Sequence, residues 1–191
     1  MRFLTAAAIL AVIGGGVFWF VTAPKPLDPS ATASLTGDAT HGEQVFWATG
    51  CASCHMAEGA KGDAQLMLSG GQAFPSDFGT FRAPNITPDP TFGIGGWSLE
   101  AFANAVTRGV SPKGQHYYPA FPYNAYNKMK LQDIADLKAF MDTLPPSAVP
   151  SQPHAVGFPF NIRRLLGGWK FLFVSDGWVI KGDLTPEETR G

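Results

Sequence analysis

Residues 51–55 read Cys51-Ala52-Ser53-Cys54-His55, a C-x-x-C-H run, and the fold is decided there. That pattern is the attachment signature of a c-type haem. Two thiols three residues apart can each form a thioether with one of the two porphyrin vinyl groups. The adjacent histidine is then delivered to one face of the ring as an axial ligand. These are the chain's only 2 cysteines, so no disulfide framework remains to be built. A zinc site would need further ligands in tetrahedral array. His41, His116 and His154, the other histidines, show no paired spacing that supplies them. A thioredoxin-like pair would follow a strand in a βαβ unit. Here Thr49-Gly50 precedes the motif, with no strand signal in front.

Composition agrees with a cofactor-centred domain. The chain has 191 residues, 14 Lys+Arg against 15 Asp+Glu, and a formal net charge of -1. That balance gives no electrostatic case for nucleic acid. With 22 glycines and 16 prolines, much of the chain should be loop. A bound haem tolerates this, because it supplies its own large apolar surface for packing.

Outward from the motif, the N-terminus addresses the compartment. Residues 3–23 hold 21 positions without a charge, after Arg2 and before Pro24-Lys25. As a helix they span about 31 Å, against a hydrocarbon core of about 30 Å. A cleaved signal peptide has a shorter apolar core and a small-x-small site. Pro24 after Val21-Thr22-Ala23 disfavours such a cut, so the segment reads as an uncleaved transmembrane anchor. Arg2 stays inside the cell. The expected location is the bacterial cytoplasmic membrane, with the haem domain on the periplasmic side, where covalent haem attachment also takes place. Residues 24–37, PKPLDPSATASLTG, read as a linker reaching on the order of 20 Å, a tether on which the domain swings.

Residues 38–150 form the expected haem domain, and 151–191 a C-terminal extension. Three helices are legible in the domain. The first runs from about Thr40 to Thr49 with Asp38 as N-cap, and presents Gly42, Val45 and Phe46 on one face. The second starts after Ser98, repeats Leu99, Phe102, Ala103 and Val106, and stops at Gly109. The third spans about Leu131 to Leu144, striped by Ile134, Leu137, Met141 and Leu144 and ended by Pro145-Pro146. No alternating run is long enough to argue for a sheet.

The iron's sixth position decides the chemistry. A histidine–methionine pair makes an electron-transfer site and raises the potential, whereas an open position favours small-ligand chemistry. Met1 lies in the anchor, Met56 adjoins the proximal histidine, and Met141 sits on an apolar stripe. Met67 follows His55 too closely, in a glycine-rich stretch. Met129 follows HYYPAFPYNAYNKM (116–129), a loop braced by rings and prolines, and is the ligand candidate; His116 is the runner-up.

The order helix, C-x-x-C-H, loops, methionine, helix resembles class I c-type cytochromes. More narrowly, FGTFRAPNITPDPTFGIGGWS (78–98) and 116–129 resemble haem domains of membrane-associated di- and multi-haem cytochromes. That group includes the cytochrome subunits of bacterial alcohol dehydrogenases. The resemblance implies an all-α fold wrapped around one covalent haem c. It also implies electron transfer from a dehydrogenase toward the respiratory chain, by a subunit that is not itself an enzyme. Carried over, Cys51 and Cys54 hold the haem and His55 is the proximal ligand. A carbonyl at Pro84 or its neighbours fixes the His55 ring through its other nitrogen. Several relatives read P-x-M-P-Y where this chain has Pro119-Ala120-Phe121-Pro122-Tyr123, and Phe121 cannot bind iron. Met129 then becomes the natural ligand. Trp97, Tyr117, Tyr123 and Asn85 are candidates to pack on haem or bond its propionates.

FPFNIRRLLGGWKFLFV (158–174) is apolar but interrupted by Arg163, Arg164 and Lys170, and too short to span a bilayer. In the resembling proteins a similar segment links one haem domain to the next. The sequence therefore reads either as a mono-haem protein or as part of a multi-haem one. The aromatic residues Trp169, Phe171, Phe173 and Trp178 are either a docking surface for a partner subunit or a tail folded over its own domain. Two functions stay open: an electron carrier with both axial positions filled, and a haem enzyme or gas sensor with an open iron and His116 beside it.

Overall fold

The computed structural model describes residues 2–175. Trp178, one of the four aromatic tail residues, lies outside them. Helix α1 (Arg2–Val21) is 20 residues long and buries none of them. Among the described residues it is the one helix long and apolar enough to cross a membrane.

The segment expected to be a free linker is instead strapped to the domain. Asp28 caps a single 3-10 turn over Pro29–Ala31. Leu27 N–H donates to Asn104 Oδ1 at 2.7 Å. Thr32 is buried, and Gln132 Nε2 donates to Thr36 O at 2.8 Å. The correction has a simple cause. Proline, serine and threonine look like spacer composition, but the partners holding them lie far along the chain.

Helix α2 (Ala39–Thr49) starts at Asp38, whose carboxylate accepts from Thr40 N, as expected. Gly50 ends it in the left-handed region at φ 69, and α3 (Cys51–His55) begins at the next residue. A 3-10 turn over Gly62–Leu66 follows. Then comes a small antiparallel sheet: β1 (Ala73–Ser76) pairs with β2 (Gly79–Arg82), which later pairs with β3 (Ala155–Val156). The all-α expectation is corrected here. Strands of 4, 4 and 2 residues are too short to show an alternating pattern.

Ser98 caps α4 (Leu99–Ala103) by accepting from Ala101 N. The helix widens into one π turn, Asn104–Arg108, and stops at Gly109. A short α5 (Tyr123–Tyr126) precedes α6 (Leu131–Met141). The expected extension of α6 to Leu144 is a tightened last turn, with Thr143 N bonded to Phe140 O and Leu144 N to Met141 O. Helix α7 (Leu165–Phe173) closes the described chain.

The core lies where α2 crosses α6. Phe46, Ile134 and Leu137 are fully buried there, joined by Phe102, Val106 and Met141. Phe46 and Phe140 rings meet at 5.2 Å between centroids. A Cβ on Gly42 would lie 1.9 Å from Asp136 O, so glycine is what lets the two backbones come together.

Candidate haem site

The site grows from the α2–Gly50–α3 joint. Because α3 is one short helix, Cys51 and Cys54 stand a turn apart and are not paired in a disulfide. Cys51 is half-buried and Cys54 exposed. Thr49 Oγ1 lies 3.4 Å from Cys51 Sγ. Burial pushes the Cys51 thiol above its ordinary value, and the Thr49 contact opposes this.

His55 Nδ1 is 2.8 Å from Pro84 O. A carbonyl can only accept, so Nδ1 carries the proton and Nε2 keeps its lone pair. Burial pulls the imidazole's pKa below the usual histidine range, against the Pro84 hydrogen bond. The neutral form that binds a metal is therefore favoured. This is the geometry anticipated for a proximal histidine.

Two residues that the sequence did not flag in this role hold Pro84. Gly70, at φ 72, donates its N–H to His55 O at 2.8 Å. A Cβ there would meet Pro84 O at 2.4 Å, displacing the carbonyl that orients His55. Asn85 is buried, and its Nδ2 donates to Ser147 O and Val149 O, both at 2.8 Å. Its Oδ1 accepts from Thr87 N and Thr87 Oγ1. The propionate role considered for Asn85 is thus replaced by a bracing one. Glycine abundance hid Gly70 in the sequence, and Asn85's partners lie 62 and 64 residues away.

Met129, the ligand candidate, is half-buried against the core, as are Phe121, Tyr126, Trp97, Ile86 and Leu66. Met129 N–H donates to Tyr126 O at 3.0 Å. Tyr126 OH donates to Thr49 O at 2.7 Å, two residues before Cys51. The methionine loop is thereby tied to the cysteine helix. Met141 is a buried core residue, as expected, and Met67 is exposed. Tyr117 and Phe121 rings meet edge to face at 5.8 Å, and burial pushes the Tyr117 phenol up to about 12. Tyr123 is buried beneath Lys170, whose Nζ stands 4.4 Å from the ring centroid.

The remaining histidines are committed elsewhere. His116, the runner-up ligand, is buried with Nε2 2.9 Å from Thr22 O, at the end of α1. His154 Nδ1 accepts from Arg82 N, and His41 Nδ1 contacts Asp136 Oδ2 at 2.8 Å. Two cysteines a turn apart and a histidine whose Nδ1 is bonded to Pro84 O, leaving Nε2 for a metal, fit a covalent haem.

Fold and site together define a class I c-type cytochrome. The Cytochrome c family matches residues 39–145, more than half of the chain, and the chain belongs to that family. It is 53% identical over 190 residues to a "Diheme cytochrome c-type" protein of Cereibacter sphaeroides, covering 100% of this chain and 64% of that one. It is 37% identical over 147 residues to the fructose dehydrogenase cytochrome subunit of Gluconobacter japonicus, covering 76% and 29%. It is 36% identical over 124 residues to the alcohol dehydrogenase (quinone) cytochrome c subunit of Komagataeibacter europaeus, covering 64% and 25%. The chain thus spans 64% of the first relative's length and under a third of the other two. The resemblance to alcohol dehydrogenase cytochrome subunits is borne out.

Proposed function

We propose that this chain is a membrane-anchored carrier of single electrons, with one covalent haem c on its one C-x-x-C-H motif. Its donor is a dehydrogenase and its acceptor a component of the respiratory chain. The observation that carries the reading is His55 Nδ1–H donating to Pro84 O at 2.8 Å, which aims Nε2 and fixes its tautomer. Cys51 and Cys54 attach the group; His55 and Met129 are its axial ligands. When bound, haem supplies reversible one-electron chemistry at iron. The protein orients His55, keeps it neutral, and shields the site with Phe121, Tyr126 and Leu66. No substrate chemistry occurs on the chain itself. Helix α1 anchors it in the cytoplasmic membrane with Arg2 inside and the haem domain on the periplasmic side. The open-iron alternative loses its distal base, since His116 is bonded to Thr22 O.

The test is an optical spectrum, oxidised and reduced, with and without carbon monoxide. A low-spin c-type spectrum with the far-red methionine–iron band and no carbon monoxide shift is expected. Met129→Ala should lower the midpoint potential and admit carbon monoxide. Six-coordination by methionine persisting in that variant would overturn the Met129 assignment. Cys51→Ser should abolish double thioether attachment, read as a shifted reduced pyridine-haem band.

A further inference from the structure

Helix α7 is built inside out. Phe171, Leu172 and Phe173 are 66%, 70% and 69% exposed, and Leu165 is exposed one helix length earlier. The helix's one charged residue turns inward. Lys170 Nζ donates to Arg108 O at 2.8 Å and Gly109 O at 2.7 Å, and lies over the Tyr123 ring. A surface helix facing water shows the reverse pattern. An apolar face kept outward marks a surface that something apolar covers.

The position of α7 says what covers it. A Cβ on Gly167 would stand 2.2 Å from Thr22 O, so α7 lies directly against the last turn of α1. Arg164 clamps the joint: Nε donates to Thr22 Oγ1 at 3.0 Å, and the guanidinium stacks 4.1 Å from the Trp19 centroid. Tryptophan and arginine at the end of an apolar helix mark the headgroup level of a bilayer. Below the joint, Gly14, Val17 and Phe18 of α1 and Phe171 and Leu172 of α7 line one apolar groove. The exposed face of α7 therefore continues the apolar surface of α1, with Thr22 the one polar residue lining the groove. Nine residues make α7 about 14 Å long, too short to span and suited to lying along an interface.

We infer that α7 is a second membrane contact, seated in the headgroup–acyl boundary beside α1, and that its partner is the lipid bilayer. This rests on α1 being the anchor. Two contacts at different points fix how the haem domain stands on the membrane, where one helix would leave it free to tilt.

The experiment uses full-length holoprotein in phosphatidylcholine vesicles. Its native cysteines are occupied by haem, so single nitroxides are introduced through Val12→Cys, Leu172→Cys and Asp63→Cys. Collision with oxygen, which partitions into lipid, is compared with collision by a water-soluble nickel chelate. Unchanged haem spectra confirm that each variant is folded. The expected oxygen-to-nickel ratio is several-fold higher at positions 12 and 172 than at 63. A lipid-like value at 12 with a water-like value at 172 overturns the inference and leaves the anchor standing. A water-like value at 12 overturns the anchor and the inference with it. Position 172 closed to both reagents means that protein covers α7, which also overturns the bilayer as its partner.

Discussion

Asp136 shows how much one side chain does here. It is buried on α6, and its carboxylate accepts from Asp38 N and Gln132 Nε2 and meets His41 Nδ1, each at 2.8 Å. Burial alone would raise its pKa, but the hydrogen bonds outweigh it and hold the carboxyl below 3.8. The sign follows from linkage. A folded-state value below the unfolded one adds stability above the unfolded pKa, and that stability is lost as pH falls through the folded value. Thermal melts should therefore show the domain weakening as pH drops below 3.8. Asp136→Asn should flatten that acid slope and cost about 1–3 kcal/mol at neutral pH, because Asp38 N–H and His41 lose an ionised acceptor. An acid slope as steep as the parent's would assign the effect to other carboxylates. At this scale, sequence legibility followed distance. Cys51, Cys54, His55, Asp38 and Ser98 announce themselves through neighbours within a few residues. His116 could not, because its partner Thr22 lies 94 residues away.

Among elements, the α2–α6 crossing carries the fold. The Cβ of an alanine at position 42 would come within 1.9 Å of Asp136 O and 2.5 Å of Asp136 C. Both atoms belong to helical backbone, which cannot step aside as a flexible side chain can. Gly42→Ala should force the helices apart and cost about 1–3 kcal/mol, seen as a lowered melting temperature. Gly14→Ala in α1, with nothing within 4 Å of the new Cβ, should leave the domain's melt unchanged. Equal melts for the two variants would show that the crossing is not tight. The helices were legible because period and caps are local. The sheet was not, because β2 is specified by its fit to β3: Gly79 faces Val156, and Thr80 faces Ala155, across most of the domain's sequence. The stretch that forms α7 was legible as apolar, but Arg163, Arg164 and Lys170 read only as interruptions of it. Lys170 proves to be its inward anchor, with burial pulling its pKa down to about 8.

Across the whole molecule, the segment between α1 and the domain sets how far the two can separate. A free spacer of 24–37 would let the domain range away from α1. The structure instead fastens that segment at Leu27 and Thr36 to Asn104 and Gln132, and Asp38, the next residue after it, to Asp136. Asn104 is buried in the π turn, so its hydrogen bond to Leu27 N links the strap to the domain interior. Asn104→Ala removes the acceptor and leaves Leu27 N–H unpaired, a loss of about 1–3 kcal/mol. Local opening of the strap should then become at least about fivefold more frequent, without global unfolding. Limited proteolysis of the full-length holoprotein reads this directly as faster cleavage between residues 24 and 37. The reduced haem spectrum should stay the same, since Asn104 lies outside the set that holds the haem. If cleavage in the strap were already fast in the parent and unchanged in Asn104→Ala, the segment would be a tether after all. Slow cleavage in the parent and fast cleavage in the variant would establish that the Asn104–Leu27 hydrogen bond holds the segment against the domain.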